Sequence, residues 1–173
     1  KADLIKVGVP PIYEYTHHYC HALCAHITSP FDKSLGIVVD GNSELDTYSV
    51  WDCDNTRLTK LFSKQLPHSL GWLYRTFTEF CGFEPNGGEG QLMGLAPYGG
   101  PDPELTEKVK QLIDYPQHFD NSFDFELDAT FIYLSERDKA HPKFTKKFIE
   151  LFGEPATPES SFETYYQNVA YAI

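Results

Sequence analysis

Positive charge is what this chain has least of: 14 Lys and Arg stand against 25 Asp and Glu, for a net charge of −11 over 173 residues. Wrapping DNA or RNA rests on Lys and Arg neutralising phosphates, so a nucleic-acid partner is not expected. Long apolar runs are missing too. No stretch approaches the ~20 residues of a membrane helix, and no charged-then-apolar leader opens the chain, so no membrane partner is expected and the cytoplasm is the default compartment. Cysteine is sparse: Cys20, Cys24, Cys53 and Cys81 are too few for a disulfide scaffold. An initiator Met is lacking as well, and the helix-like segment from Phe162 to Ile173 carries no cap or polar tail. Both ends are therefore expected to be internal to a longer chain, with residues 1–173 a single partial domain.

What is present is ample apolar material: 41% of residues are hydrophobic and 15% aromatic, which predicts a folded domain with a substantial core. The segment His17 to Thr28 reads as a helix, with Thr16 as cap and Pro30 forbidding continuation after Ser29. Leu35 to Asp40 is a short β-branched run ending at the turn pair Gly41-Asn42. Thr47 to Cys53 and Arg57 to Ser63 alternate as strands about a turn at Asp54-Asn55, giving a three-stranded antiparallel meander. A helix from His68 to Phe80, begun at Pro67, places Leu70, Leu73, Phe77 and Phe80 on a core face. Further on, the pattern predicts helices over Asp102 to Asp114, Lys143 to Phe152 and Phe162 to Ile173, and a strand over Phe123 to Leu127. Asp120, Asp124 and Asp128 lack an EF-hand pattern and read as a solvated face.

One trio carries possible chemistry. His17 and His21 stack a turn apart on one helix face. A helix from His17 to Thr28 rises about 16 Å at ~1.5 Å per residue, and a strand from Leu35 to Asp40 covers about the same distance at ~3.3 Å per residue. If residues 29–34 reverse the chain, Asp40 arrives level with His17. Two imidazoles and a carboxylate suit Fe(II), Zn(II) or Mn(II) and leave coordination positions open. Spacing alone leaves other readings standing: a polar stripe, or a His-His-Cys zinc site in which Cys24, three residues beyond His21 on nearly the same face, joins the pair, although small buried Cys in a packed helix is the plainer account of Cys20 and Cys24. The glycines at 87, 88, 90 and 94 open a short helix whose N-terminus can bind phosphate, without the Gly-Lys-Ser/Thr of a P-loop; tight turns and close packing explain such clusters equally.

Four blocks in order, His17-His-Tyr-Cys-His-Ala, Gly36-Ile-Val-Val-Asp-Gly41, Pro67-His-Ser-Leu-Gly-Trp-Leu-Tyr74 and Gly88-Glu-Gly-Gln-Leu-Met-Gly-Leu-Ala-Pro-Tyr-Gly99, resemble the O-carbamoyltransferases that tailor natural products and nodulation factors. The resemblance implies an α/β fold: part of a large domain akin to tRNA threonylcarbamoyl transferases, on the actin-like/sugar-kinase ATPase (ribonuclease H-like) fold. A smaller YrdC-like domain, absent here, would make carbamoyl-adenylate from carbamoyl phosphate and ATP. The large domain would pass the carbamoyl group to a hydroxyl of a small-molecule acceptor. By the same resemblance His17, His21 and Asp40 hold a divalent metal, Fe(II) favoured over Zn(II), with a fourth ligand beyond this chain. Gly41, Gly88, Glu89 and Gly90 would shape the nucleotide and carbamoyl pocket. The family often carries a basic residue where this chain has Gln91. Glu44 and Asp46, just past the Asp40 turn, are the candidates for contact with the acceptor or its proton. With a ligand and a domain missing, the piece alone is expected to be inactive. The alternatives are a transferase of threonylcarbamoyl to tRNA, which the net charge disfavours, and a His/Cys zinc module without a reaction.

Overall fold

The computed structural model describes residues 11–115, 124–135, 140–157 and 159–173. It is a mixed α/β unit in which one antiparallel sheet carries a histidine-bearing helix and a larger aromatic core lies beside it. Helix α1 (His17–Thr28) has the bounds its sequence predicts. Its buried face is His18, Ala22 and His26, a strip at i, i+4 and i+8 that meets the sheet. The chain reverses and enters β1 (Lys33–Val39), which pairs antiparallel with β2 (Asp46–Asp54), itself paired with β3 (Arg57–Gln65). The sheet order is β1-β2-β3, the expected meander. Ala22 packs with Val38, Trp51 and Cys53 in a small core between α1 and the sheet, and Tyr19 meets Trp51 edge to face. The β2–β3 turn centres on Asn55, whose φ of 51° is the left-handed conformation that Asn tolerates.

The next helix, α2 (Leu70–Phe80), begins two residues later than the proline signal predicts. The chain turns through a cis Leu66–Pro67 bond, with the His68 N–H donating to Gln65 O at 3.0 Å, and Ser69 caps the helix by accepting the Trp72 N–H at 3.1 Å. The imidazole of His68 is thereby freed to accept the Leu127 N–H at 3.0 Å. From α2, Phe77 and Phe80 enter the main core and meet Phe148 and Phe152 at ring distances near 5 to 6 Å. The aromatic-rich helix is core, as its spacing implies.

Helix α3 (Glu89–Leu95) passes into a 3₁₀ turn (Ala96–Tyr98), and α4 (Pro103–Lys110) follows. The helix expected to reach Asp114 stops at Lys110 because Leu112 turns inward, and Ile113–Asp114 (β4) pairs with Glu126–Leu127 (β5). The strand expected over Phe123 to Leu127 is thus two residues long among the described ones; Phe123 and Asp120 lie outside them. Asp124 and Asp128 do not share a cation site: Asp124 pairs with Lys64 at 2.7 Å, and Asp128 caps the 3₁₀ turn Ala129–Phe131 and pairs with Lys147 at 2.8 Å. Helix α5 (Lys146–Phe152) is shorter than predicted at its start, since Lys143 to Thr145 run extended against Phe131 to Tyr133. Helix α6 (Thr164–Ala172) closes the core with Tyr166 and Val169. Among the described residues no helix is long and apolar enough to cross a membrane.

Candidate metal centre

The chain reversal after α1 brings Asp40, at the end of β1, level with the start of the helix. His17 Nε2 lies 2.9 Å from Asp40 Oδ2 and 2.9 Å from His21 Nε2. One ligand atom from each of the three residues falls within 4.8 Å of the other two, and among the described residues this is the one such cluster. Hydrogen bonds alone satisfy it poorly. A ring nitrogen either donates one proton or accepts one. If His17 Nε2–H donates to Asp40, it has no lone pair for His21; if it accepts from His21, its lone pair faces a carboxylate. A cation among the three resolves the conflict. Ligand atoms on an ion with bonds of ~2.1 Å at right angles stand about 3.0 Å apart, close to both observed separations. The donor set of two imidazoles and one carboxylate on one side of an ion fits Fe(II), Mn(II) or Zn(II) and leaves the other side open.

Several groups that sequence reasoning passed over hold the trio. His18 is buried at 1% exposure, and its Nδ1 meets Ser49 Oγ at 2.7 Å, while Ser49 accepts the indole N–H of Trp51 at 2.7 Å. Burial lowers the His18 pKa, against the opposing pull of Asp46 and Asp40, which keeps the ring neutral as an anchor. His26 Nδ1 meets Ser34 Oγ at 2.8 Å two turns on. These two contacts fix the rotation of α1 and turn His17 and His21 toward Asp40. The available signal was the spacing of His18, Ala22 and His26, whose polar ends occupy a core-facing strip. Asp40 is held by its neighbours: its Oδ1 accepts the Gly41 N–H at 2.6 Å, its backbone N–H donates to Thr47 O at 2.9 Å, and Ser69 Oγ donates to Gly41 O at 2.6 Å.

Glu44 accepts the His17 N–H with both carboxylate oxygens at 3.3 Å, doing the capping expected of Thr16, whose side chain makes no cap bond. Asp46 pairs with Lys60 at 2.6 Å; burial resists the charge, but Lys60 prevails and its pKa is lowered. Neither borders the cavity beside Asp40. That cavity, of about 650 Å³, is bordered by Asp40, Gly41, Gly71, Trp72, Arg75 and Glu89, among others. Of the glycine-block residues, only Glu89 reaches it; Gly88 serves packing, since a Cβ there would lie 2.7 Å from Phe83 Cβ, and Gly90 faces open space. Cys20 and Cys24 are exposed, not buried as expected, because the buried strip of α1 is His18, Ala22 and His26. They line a separate groove with Tyr15, Tyr19, Leu23 and Ile27, apart from the trio.

The carbamoyltransferase N-terminus family matches residues 1–170. The chain belongs to the carbamoyltransferase family. This carbamoyltransferase-family chain is 38% identical over 175 residues to an uncharacterized protein of Synechocystis sp., covering 99% of the chain and 27% of that protein. It is 33% identical to the nodulation protein NolO of Bradyrhizobium diazoefficiens over 60% of the chain and 20% of NolO. To nodulation protein NolNO of Sinorhizobium fredii it is 33% identical over 57% of the chain and 15% of that protein. The chain thus spans about a quarter or less of the length of these relatives.

Proposed function

We propose that this chain carries the metal-holding part of a carbamoyl-transfer centre, within a domain of the actin-like/sugar-kinase ATPase fold. The observation that carries the reading is the close approach of His17, His21 and Asp40, a set of contacts that protons alone satisfy poorly. Membership of the carbamoyltransferase family supports the chemistry. The carbamoyl donor is carbamoyl-adenylate, made from carbamoyl phosphate and ATP in a region of the whole protein beyond these residues, and the acceptor is a hydroxyl of a small molecule. A divalent metal held by His17, His21 and Asp40, Fe(II) before Zn(II), supplies Lewis acidity toward a carbonyl and an acceptor hydroxyl.

The chain's own residues do the rest. Asp40 commits Oδ1 to the Gly41 amide, which leaves Oδ2 turned toward His17. Gly41 and Glu89 border the adjoining cavity, where a nucleotide-linked donor is received. The Glu89 carboxylate accepts the Asn86 N–H at 2.7 Å, which holds that wall of the cavity in position. With three ligands from this chain and the remaining parts elsewhere, residues 1–173 alone bind metal without turnover. The test is elemental analysis of protein purified anaerobically, wild type beside His17→Ala and Asp40→Ala. Stoichiometric metal in the wild type, and its loss from both variants, is expected; a wild-type chain and a full-length protein both free of metal would overturn the reading.

A further inference from the structure

Arg75 is the buried charge that no other part of the fold explains. It lies on α2 one turn past Gly71, is 7% exposed, and has its Nε–H enclosed without an acceptor. Among the described residues it makes no ion pair, and its guanidinium carbon sits 4.3 Å from the Trp72 ring centre. Arginine does not shed its proton, and an unpaired buried cation is costly, so this group is a permanent charge waiting on a counter-charge. It borders the cavity of about 650 Å³ that Asp40 also borders, and a second of about 370 Å³ beside Glu79 and Glu84. Of the carboxylates near it, Glu84 borders only the second cavity and makes no ion pair with it, and the others are engaged elsewhere. Glu79 accepts the Lys143 N–H, Glu89 accepts the Asn86 N–H, and Asp40 is bound by Gly41 and His17.

The start of α2 faces the same cavity. Ser69 takes the N–H groups of Trp72 and Leu73, whereas those of Leu70 and Gly71 have no acceptor among the described residues. Backbone amides at a helix start and a guanidinium one turn later border one cavity from two sides, an arrangement that suits the several oxygens of a phosphoryl group better than the two of a carboxylate.

We propose that Arg75 and the free first-turn amides of α2 form a phosphoryl-binding subsite in the cavity beside Asp40. The inference deepens the carbamoyl-transfer reading, and rests on it for the role of the ligand: the subsite takes the phosphate of the donor. The guanidinium rests over the Trp72 ring, which holds it at the cavity wall.

The experiment is an amide and arginine side-chain ¹⁵N NMR titration of the metal-free chain in chelator, with inorganic phosphate, AMP and acetate in separate arms. The Arg75 Nε–H and the Leu70 and Gly71 amides are expected to shift with phosphate and with AMP and to stay still with acetate. Arg75→Gln is expected to weaken AMP binding at least tenfold and Arg75→Lys by less. Lys110→Ala, on α4 and outside this cavity, is expected to bind AMP as wild type does. Should wild type bind AMP but hold no metal, the metal reading falls and the subsite stands. No shift at Arg75 with either phosphate ligand, equal binding by a folded Arg75→Gln, or acetate binding as tightly as phosphate would overturn the proposal. If Arg75→Gln does not fold, the wild-type shifts decide alone.

Discussion

Replacing Gly71 by Ala should disturb Asp40 from across the fold. A Cβ built on Gly71 lies 2.6 Å from both Cα and N of Gly41 and 2.8 Å from Asp40 O. All three are backbone atoms, so nothing flexible can swing aside. Restoring ordinary carbon contact of ~3.5 Å requires the helix start and the Asp40–Gly41 peptide to part by about 1 Å. Overpacking of this kind costs about 1–3 kcal/mol, and the better helix propensity of Ala returns up to about 1 kcal/mol. A net loss of about 1 kcal/mol lowers the melting temperature of a domain this size by roughly 2–4 °C. Metal sites tolerate ligand errors of only about 0.2 Å, so a shift approaching 1 Å at Asp40 should weaken metal binding at least tenfold. Gly90→Ala is the control, since a Cβ there meets nothing within 4 Å. The assays are thermal melts monitored by circular dichroism and metal titration against a competing chelator. If Gly71→Ala matches Gly90→Ala in both, the close approach of α2 to the Asp40 turn does not hold and the reasoning fails.

Glu44→Gln should lower the melting temperature by no more than about 4 °C, as an exposed charge near a helix start contributes about 0.3–1 kcal/mol, yet loosen the first turn of α1; faster amide exchange at His17 is the readout. Among the four thiols, Cys20 and Cys24 should react with a thiol reagent in the native chain, while Cys53 and Cys81 react only after unfolding, because both are buried and burial pushes the Cys81 pKa up to about 12. Asp128, bound by Lys147 and Thr130, has its pKa drawn down to about 2, below the ~3.9 of an unfolded Asp. Its contribution to stability is therefore full above pH ~4 and is lost as pH falls through about 2. Asp128→Asn should melt lower than wild type at neutral pH, and the two melting curves should converge below pH 2; a gap independent of pH would refute the assignment.

The element order was legible because the sheet is built from alternating runs of matching length and α1 from an uninterrupted helical segment between Thr16 and Pro30. The approach of Asp40 to His17 was legible for the same reason: helix rise and strand rise fix how far each carries the chain. What stayed hidden lay in contacts between distant residues. That Glu44 and not Thr16 caps α1, that His68 serves Leu127 and leaves the cap to Ser69, and that Ile113 leaves a helix pattern for a strand all depend on partners many residues away. The exposure of Cys20 and Cys24 was missed for a related cause. Hydrophobic periodicity cannot reveal a buried face made of His18, Ala22 and His26, because two of its three members look polar until Ser49 and Ser34 are seen to satisfy them.

The histidines and the carboxylate are held by separate parts of the fold, and this bears on what the centre can do. His17 and His21 ride on α1, whose attachment is the small core around Trp51 and the two serine-bound histidines. Asp40 belongs to the strand end, where Thr47 and the Gly41 amide hold it and Ser69 ties the turn to α2. Helix α2 in turn is anchored in the main aromatic core through Phe77 and Phe80. Asp40 therefore stands at the sheet end where α2 is tied on, Gly71 and Arg75 lie on α2 itself, and the histidines lie on α1. An ion held by the trio would join α1 to the end of β1, so binding there should tighten α1 against the sheet more than it changes α2. A phosphoryl group at Arg75 contacts α2 alone and should leave α1 as it was. The two kinds of binding are separable in the same chain by which helix gains protection from amide exchange.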